Sequence, residues 1–169
     1  MDLHAAAWTA DTTCEIRPGA RRFESWEANY ADRLGLGAAV DYALELSIEA
    51  TSDRLCELAA DLRDSLTALD GVSVHDKGAT RGGIVTFTVD GVDSVDVQAQ
   101  LLSQRINTAV APAGHARLDL PHRGLPSLVR ASLHYYNTVE ETTRFVDAVH
   151  RLRRRLAAVR RSRSQRPRH

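Results

Sequence analysis

The residues best placed to do chemistry lie in one short stretch, Val129-Arg130-Ala131-Ser132-Leu133-His134-Tyr135-Tyr136-Asn137-Thr138-Val139-Glu140-Glu141. Val129, Ala131 and Leu133 alternate with Arg130, Ser132 and His134, the period of a half-buried strand, so Arg130 should point away from the apolar face. Thr138 and Glu141 are spaced as a capping box and place a helix start at about Val139. A guanidinium held on a strand suits two-point capture of a carboxylate or phosphate; the plainer alternative is a strand arginine in contact with solvent.

Other reactive side chains are sparse or poorly spaced. Lys77 is the only lysine and reads as part of an Asp76-Lys77-Gly78 turn. Cys14 and Cys56 have neither metal-ligand spacing nor a pairing signature, which fits a reducing compartment and a cytoplasmic location. His115 and His122 share one loop with Asp119, on too loose a scaffold for a metal site, and none is expected. Walker and dinucleotide glycine loops, the Gly-x-Ser-x-Gly elbow and His-Glu-x-x-His are all missing, which removes the chemistry that those motifs support.

The elements that position Arg130 follow from periodicity. Leu34, Ala38, Tyr42 and Leu46 recur in steps of four and predict a helix over 31–47. Gly35 and Gly37 within it each cost about 1 kcal/mol relative to alanine and suggest a tight approach by a neighbour. Leu55, Leu58, Leu62, Leu66 and Leu69 predict a second helix over 52–69, closed by Asp70-Gly71. Strands are predicted over 72–75, 84–89, 106–110 and 129–134, with a helix capped by Asp93 running to about Gln104. Residues 111–128, with Pro112, Gly114, Pro121, Gly124 and Pro126, read as a long loop. The last helix continues its stripe through Phe145, Val149, Leu152, Leu156 and Val159. This order predicts an α+β fold: a small, mostly antiparallel sheet with helices packed on one face, preceded by a long linking helix.

With 169 residues the chain suits one domain plus extensions. The division expected is an irregular segment over 1–30 that packs as an interface, a domain over 31–159, and a basic disordered tail over 160–169. Charge balances at 22 basic and 22 acidic residues, yet nine arginines and no acidic residue follow Asp147. No aromatic or nucleic-acid motif accompanies that run, so nucleic-acid binding is not expected. Met1-Asp2-Leu3-His4 does not begin like a leader, and no apolar run reaches the roughly 18 residues of a membrane span, which points to a soluble protein without a membrane partner.

Arg130-x-Ser132-x-x-x-Tyr136-Asn137, followed by Thr-x-x-Glu, resembles the C-terminal motif of the class V aminotransferases. These are fold-type I pyridoxal-phosphate enzymes that include cysteine desulfurases and isopenicillin-epimerase-like proteins. Arg22-Phe23-Glu24, Asn29 and Gly35-Leu36-Gly37-Ala38-Ala39 resemble a second segment of that family at the same spacing. The likeness extends over roughly residues 3 to 155. It implies the C-terminal small domain of such an enzyme, a homodimer, with pyridoxal 5'-phosphate as cofactor and an amino acid as substrate. It assigns the substrate carboxylate to Arg130 and the vicinity of the cofactor phosphate to Arg22, Trp26 and Asn29.

Three departures accompany the likeness. Glu27 stands where desulfurase-like members place a threonine, and a carboxylate there opposes a phosphate. Residues 111–128 contain no cysteine to carry sulfur. The cofactor needs a lysine at a strand end of a preceding large domain, and Lys77 does not occupy such a place. The expectation is therefore a chain that lacks the cofactor domain and is inactive alone. The alternative is a non-catalytic interaction module whose arginine tail engages an acidic surface.

Overall fold

The computed structural model describes residues 5–24 and 28–164, with side chains to residue 155. The chain divides into two compact units, Met1–Ser47 and Ile48–His169.

The first unit is more regular than its sequence suggests. Strands β1 (Ala6–Ala10) and β2 (Thr13–Ile16) form an antiparallel hairpin with Ala10 opposite Thr13 and a bulge between Trp8 and Ala10. The expectation of irregular structure fails here because backbone pairing, not an apolar face, holds the hairpin: Ala6 is its only buried residue. A 3-10 turn at Ala20–Phe23 follows, and then helix α1 (Tyr30–Glu45). Asn29 caps α1, its Oδ1 accepting from Asp32 N at 3.2 Å. The stripe through Leu34, Ala38, Tyr42 and Leu46 is exposed, and a Cβ on Gly35 or Gly37 would meet nothing within 4 Å. The tight approach expected of these glycines is thus not made by any described residue.

The second unit is built around a four-stranded antiparallel sheet in the order β3-β4-β6-β5: β3 (Val72–Val74), β4 (Ile84–Val89), β6 (Ser127–Ser132) and β5 (Ala109–Pro112). Helices α2 (Ile48–Thr67), α3 (Ser94–Leu102) and α4 (Val139–Ser164) complete it. Val85, Phe87, Val89, Val129 and Ala131 share a core with Leu62 and Leu66 of α2, Val97 and Leu101 of α3, and Phe145, Val149 and Leu152 of α4. Phe87 and Phe145 meet edge to face, with ring centroids 5.8 Å apart. The alternating residues Ser73, Thr86, Thr88, Arg130 and Ser132 occupy the other face of the sheet. The α+β fold with an antiparallel sheet and helices packed on it is as its sequence predicts.

Several boundaries differ from expectation, each for a local reason. Helix α2 begins at Ile48 because Ser47, at φ 65°, makes the break from α1. The strand expected over 106–110 begins at Ala109. Arg105 adopts φ 60° and Ile106 N donates to Leu101 O at 3.0 Å, a C-terminal closure of α3 that packs the half-buried Ile106 against the core. The long loop between β5 and β6 contains 3-10 turns at Ala113–His115 and Pro121–Arg123. Helix α4 runs to Ser164, so the first part of the expected tail is helical; residues 165–169 lie outside the described residues, as do the side chains of Leu156 and Val159. No described helix is long and apolar enough to cross a membrane.

Candidate active-site region

Arg130 lies in the middle of β6, directly opposite Thr86 of β4 on one side and Ala109 of β5 on the other. Its neighbours Val129 and Ala131 are buried, so the strand is fixed while the guanidinium is exposed. The Arg130 side chain has no hydrogen bond or ion pair among the described residues. A guanidinium so placed keeps its full set of donors for an anionic group brought to the sheet.

The floor beside Arg130 is held by a buried ion pair. Arg63 Nε donates to Asp76 Oδ2 at 2.6 Å, and both side chains are less than a tenth exposed. Arg63 Nη2 also donates to Gly82 O at 2.5 Å and Ile84 O at 3.2 Å. Asp76 Oδ1 accepts from Thr86 N at 2.6 Å and Thr86 Oγ1 at 2.7 Å. Burial pushes the Asp76 carboxyl up, but the bond from Arg63, those from Thr86 and the Arg63 charge outweigh it and hold it below its ordinary range. Thr86, which faces Arg130 across the ladder, is thereby tied to Asp76 through both its amide and its hydroxyl. The sequence held a signal for this: Arg63 interrupts the apolar side of α2 between Leu62 and Leu66.

The loop before β6 is tied across the sheet. Arg123 Nη2 donates to His75 O at 2.9 Å and Nη1 to Asp119 Oδ2 at 3.0 Å, while Lys77 pairs with the same carboxylate. The bonds from Lys77 and then Arg123 lower the Asp119 pKa. Burial, followed by the Arg123 charge, lowers that of His75 against the opposing pull of Asp76, and a His75 ring nitrogen shares a 2.8 Å hydrogen bond with Thr88 Oγ1. Neither Arg123 nor His75 stood out in the sequence, since their contacts are set by the tertiary path of the loop.

The strand-to-helix connection after Arg130 forms as its spacing predicts. Glu141 N donates to Thr138 Oγ1 at 3.2 Å and Thr138 N to Glu141 Oε2 at 3.1 Å. Asn137 adds what spacing did not disclose: its Oδ1 accepts from His134 N at 2.8 Å and its Nδ2 donates to Glu141 Oε2 at 3.0 Å. Bonds from the Asn137 side chain and the Thr138 amide keep Glu141 ionised further into acid than usual. Tyr136 is exposed and stacks on His134, with ring centroids 4.6 Å apart.

Of the remaining candidates, Arg22 and Asn29 belong to the first unit and Arg130 to the second. Arg22 is half-buried, with its guanidinium 4.7 Å from the Phe23 ring and Nη1 donating to Arg17 O at 3.4 Å. Asn29 is spent on Asp32, whose Oδ2 accepts from its Nδ2 at 2.7 Å. Trp26 and Glu27 lie outside the described residues. Lys77, the one lysine, is an exposed partner of Asp119 at the sheet rim, so the residues of this chain do not fit covalent attachment of a carbonyl cofactor. Cys14 is half-buried on the hairpin and Cys56 is exposed on α2, both as free thiols.

The family model described as Aminotransferase class-V matches residues 9–145. A probable cysteine desulfurase of Xylella fastidiosa (strain Temecula1) is 33% identical over 136 residues, which cover 80% of this chain and 32% of that protein. The cysteine desulfurase of Haloferax volcanii is 32% identical over 141 residues, covering 82% and 32%. Among solved structures, an apo cysteine desulfurase from Thermococcus onnurineus NA1 superposes with a TM-score of 0.74 at 22% identity, covering 91% of this chain and 38% of that one. A cysteine desulfurase from Escherichia coli gives a TM-score of 0.72 at 21% identity, covering 89% and 37%. The chain spans about a third of the length of the curated relatives it matches.

Proposed function

From the premise that the chain belongs to the class V aminotransferase family, whose members are pyridoxal-phosphate enzymes, we propose that it is the C-terminal part of such an enzyme acting on an amino acid. In this reading Arg130 binds the substrate carboxylate. The observation that carries the assignment is the state of Arg130: a guanidinium without a partner among the described residues, on a strand whose flanking residues are buried and whose neighbour Thr86 is locked by Asp76. Two of its N–H groups can donate in parallel to the two carboxylate oxygens, which fixes the Cα of the amino acid with little ordering left to pay for on the protein side.

The cofactor lysine belongs, in this proposal, to a large domain that this sequence does not contain. The surface pairing of Lys77 with Asp119 and the one-third coverage of the curated relatives support that division. Arg22, half-buried and held by a long hydrogen bond and by its contact with the Phe23 ring, would have to leave both to turn toward a cofactor phosphate, and Asn29 would first have to release Asp32. Sulfur transfer through a loop cysteine is not part of the proposal, since the loop between β5 and β6 has no thiol.

Two experiments test the reading. The purified chain, mixed with pyridoxal phosphate and desalted, should retain no cofactor absorbance that depends on Lys77; a retained, Lys77-dependent chromophore would overturn the division of labour. In the complete protein, with the lysine-bearing domain present, Arg130→Ala should raise KM for the amino acid; an unchanged KM would remove the role assigned to Arg130.

A further inference from the structure

A cleft opens in the second unit, at the junction of the α3 C-terminus, the ends of β5 and β6 and the first turns of α4. It has a volume of about 350 Å³, within the range of small-ligand pockets, and Arg130 is not among its lining residues. Leu62, Ile106 and Phe145 give it an apolar surface, while Arg105, Arg144 and Thr108 supply donors.

Three features set these donors apart from ordinary surface groups. Arg105 occupies the left-handed position, φ 60°, that closes α3, where glycine is the usual residue, and its side chain has no hydrogen bond or ion pair among the described residues. Arg144 reaches from α4 to donate through Nη2 to Gln104 O at 2.5 Å, which fixes its guanidinium at the cleft while leaving its other N–H groups available. The hydroxyl oxygen of Thr108 is buried and has no hydrogen-bond partner, a condition that a bound acceptor would relieve.

Glu141 also lines the cleft, but its carboxylate already accepts from Asn137 Nδ2 and Thr138 N. Two guanidinium charges against one carboxylate leave the lining with a net charge of about plus one, which favours a monoanion over a dianion. The mixture of apolar wall and cationic rim favours a ligand with an apolar body.

We propose that this cleft binds a small monocarboxylate with an aryl or branched apolar body, its carboxylate meeting Arg105, Arg144 and the Thr108 hydroxyl and its body lying against Leu62, Ile106 and Phe145. The site is separate from the substrate anchor. Ser132, which lines the cleft, is two residues from Arg130 on the same face of β6, so occupancy would touch the strand that carries the anchor.

Isothermal titration of the full chain with phenylacetate tests the proposal, with benzylamine as the same body carrying the opposite charge and inorganic phosphate as the compact dianion. One saturable phenylacetate site is expected, with no measurable benzylamine binding and weaker phosphate binding. Arg105→Ala and Arg144→Gln should each raise the phenylacetate Kd about tenfold or more, and Thr108→Val a few-fold. Arg130→Ala should leave that Kd unchanged, which keeps this test distinct from that of the substrate anchor. Circular dichroism checks that each variant is folded. No saturable phenylacetate binding, or the same Kd in an Arg105→Ala/Arg144→Gln double variant, would overturn the site; tighter binding of phosphate than of phenylacetate would overturn the monocarboxylate assignment.

Discussion

Replacing Asp76 with alanine perturbs the support beneath Arg130 without touching Arg130 itself. The substitution removes the acceptor of three hydrogen bonds, from Arg63 Nε, Thr86 N and Thr86 Oγ1, and leaves Arg63 as a buried charge. Breaking one side of a buried pair costs about 3–5 kcal/mol. The carbonyls of Gly82 and Ile84 still accept from Arg63 Nη2, which argues for the lower end, about 3 kcal/mol. With a urea slope of about 1.5 kcal/mol per molar, the unfolding midpoint should fall by about 2 M. Arg63→Met should cost a similar amount, and the double variant should cost clearly less than the sum, because the orphaned charge disappears with its partner.

The same pair predicts a pH dependence. The folded-state carboxyl lies below its unfolded value of about 3.9, so its stabilisation is complete above that pH and fades as pH falls through the folded value. Asp76→Asn should remove this part of the acid limb. Urea titrations from pH 7 down to pH 3 on the unsubstituted protein and these four variants decide the matter. A loss below about 1 kcal/mol for Asp76→Ala, or strict additivity in the double variant, would refute the coupling of Arg63, Asp76 and Thr86.

Further outcomes follow from the neighbouring contacts. Thr138→Ala removes the acceptor for Glu141 N at the start of α4 and should cost about 1 kcal/mol in chemical unfolding, within the usual cap range of roughly 0.5–2. His75 should titrate below the ordinary histidine value of about 6.5 in an NMR pH series, because burial and then the Arg123 charge disfavour its cation; Arg123→Gln should move the midpoint upward. Its neutral form is the one the fold favours, so this contribution to stability is present above the unfolded value and is lost as pH falls through the folded one.

The sheet and its helices were legible because burial writes a period into the sequence: Val85, Phe87 and Val89 alternate on β4, and Leu58, Leu62 and Leu66 recur on α2. The capping box was legible because it is a local contract between Thr138 and Glu141. The β1–β2 hairpin was not, since its pairing depends on backbone bonds with almost no buried face. The start of β5 was displaced because the closure of α3 at Arg105 competes for Ile106. Arg130 could be singled out from its strand pattern, whereas the support from Asp76, Thr86 and Arg63 joins α2, the turn after β3 and β4, residues that no sequence spacing connects. The loop ties from Arg123 to His75 and Asp119 are hidden for the same reason.

The central claim is that Arg130 anchors the carboxylate of an amino-acid substrate for a cofactor domain outside this sequence. Its most direct measurement is the steady-state kinetics of the complete protein with and without Arg130→Ala. Loss of a charge-assisted contact worth about 1.5–3 kcal/mol predicts a KM raised roughly 10–100-fold, with a smaller change in kcat. An amine substrate lacking the carboxylate should show no difference between the two proteins. Equal KM values for the amino acid in both would contradict the account.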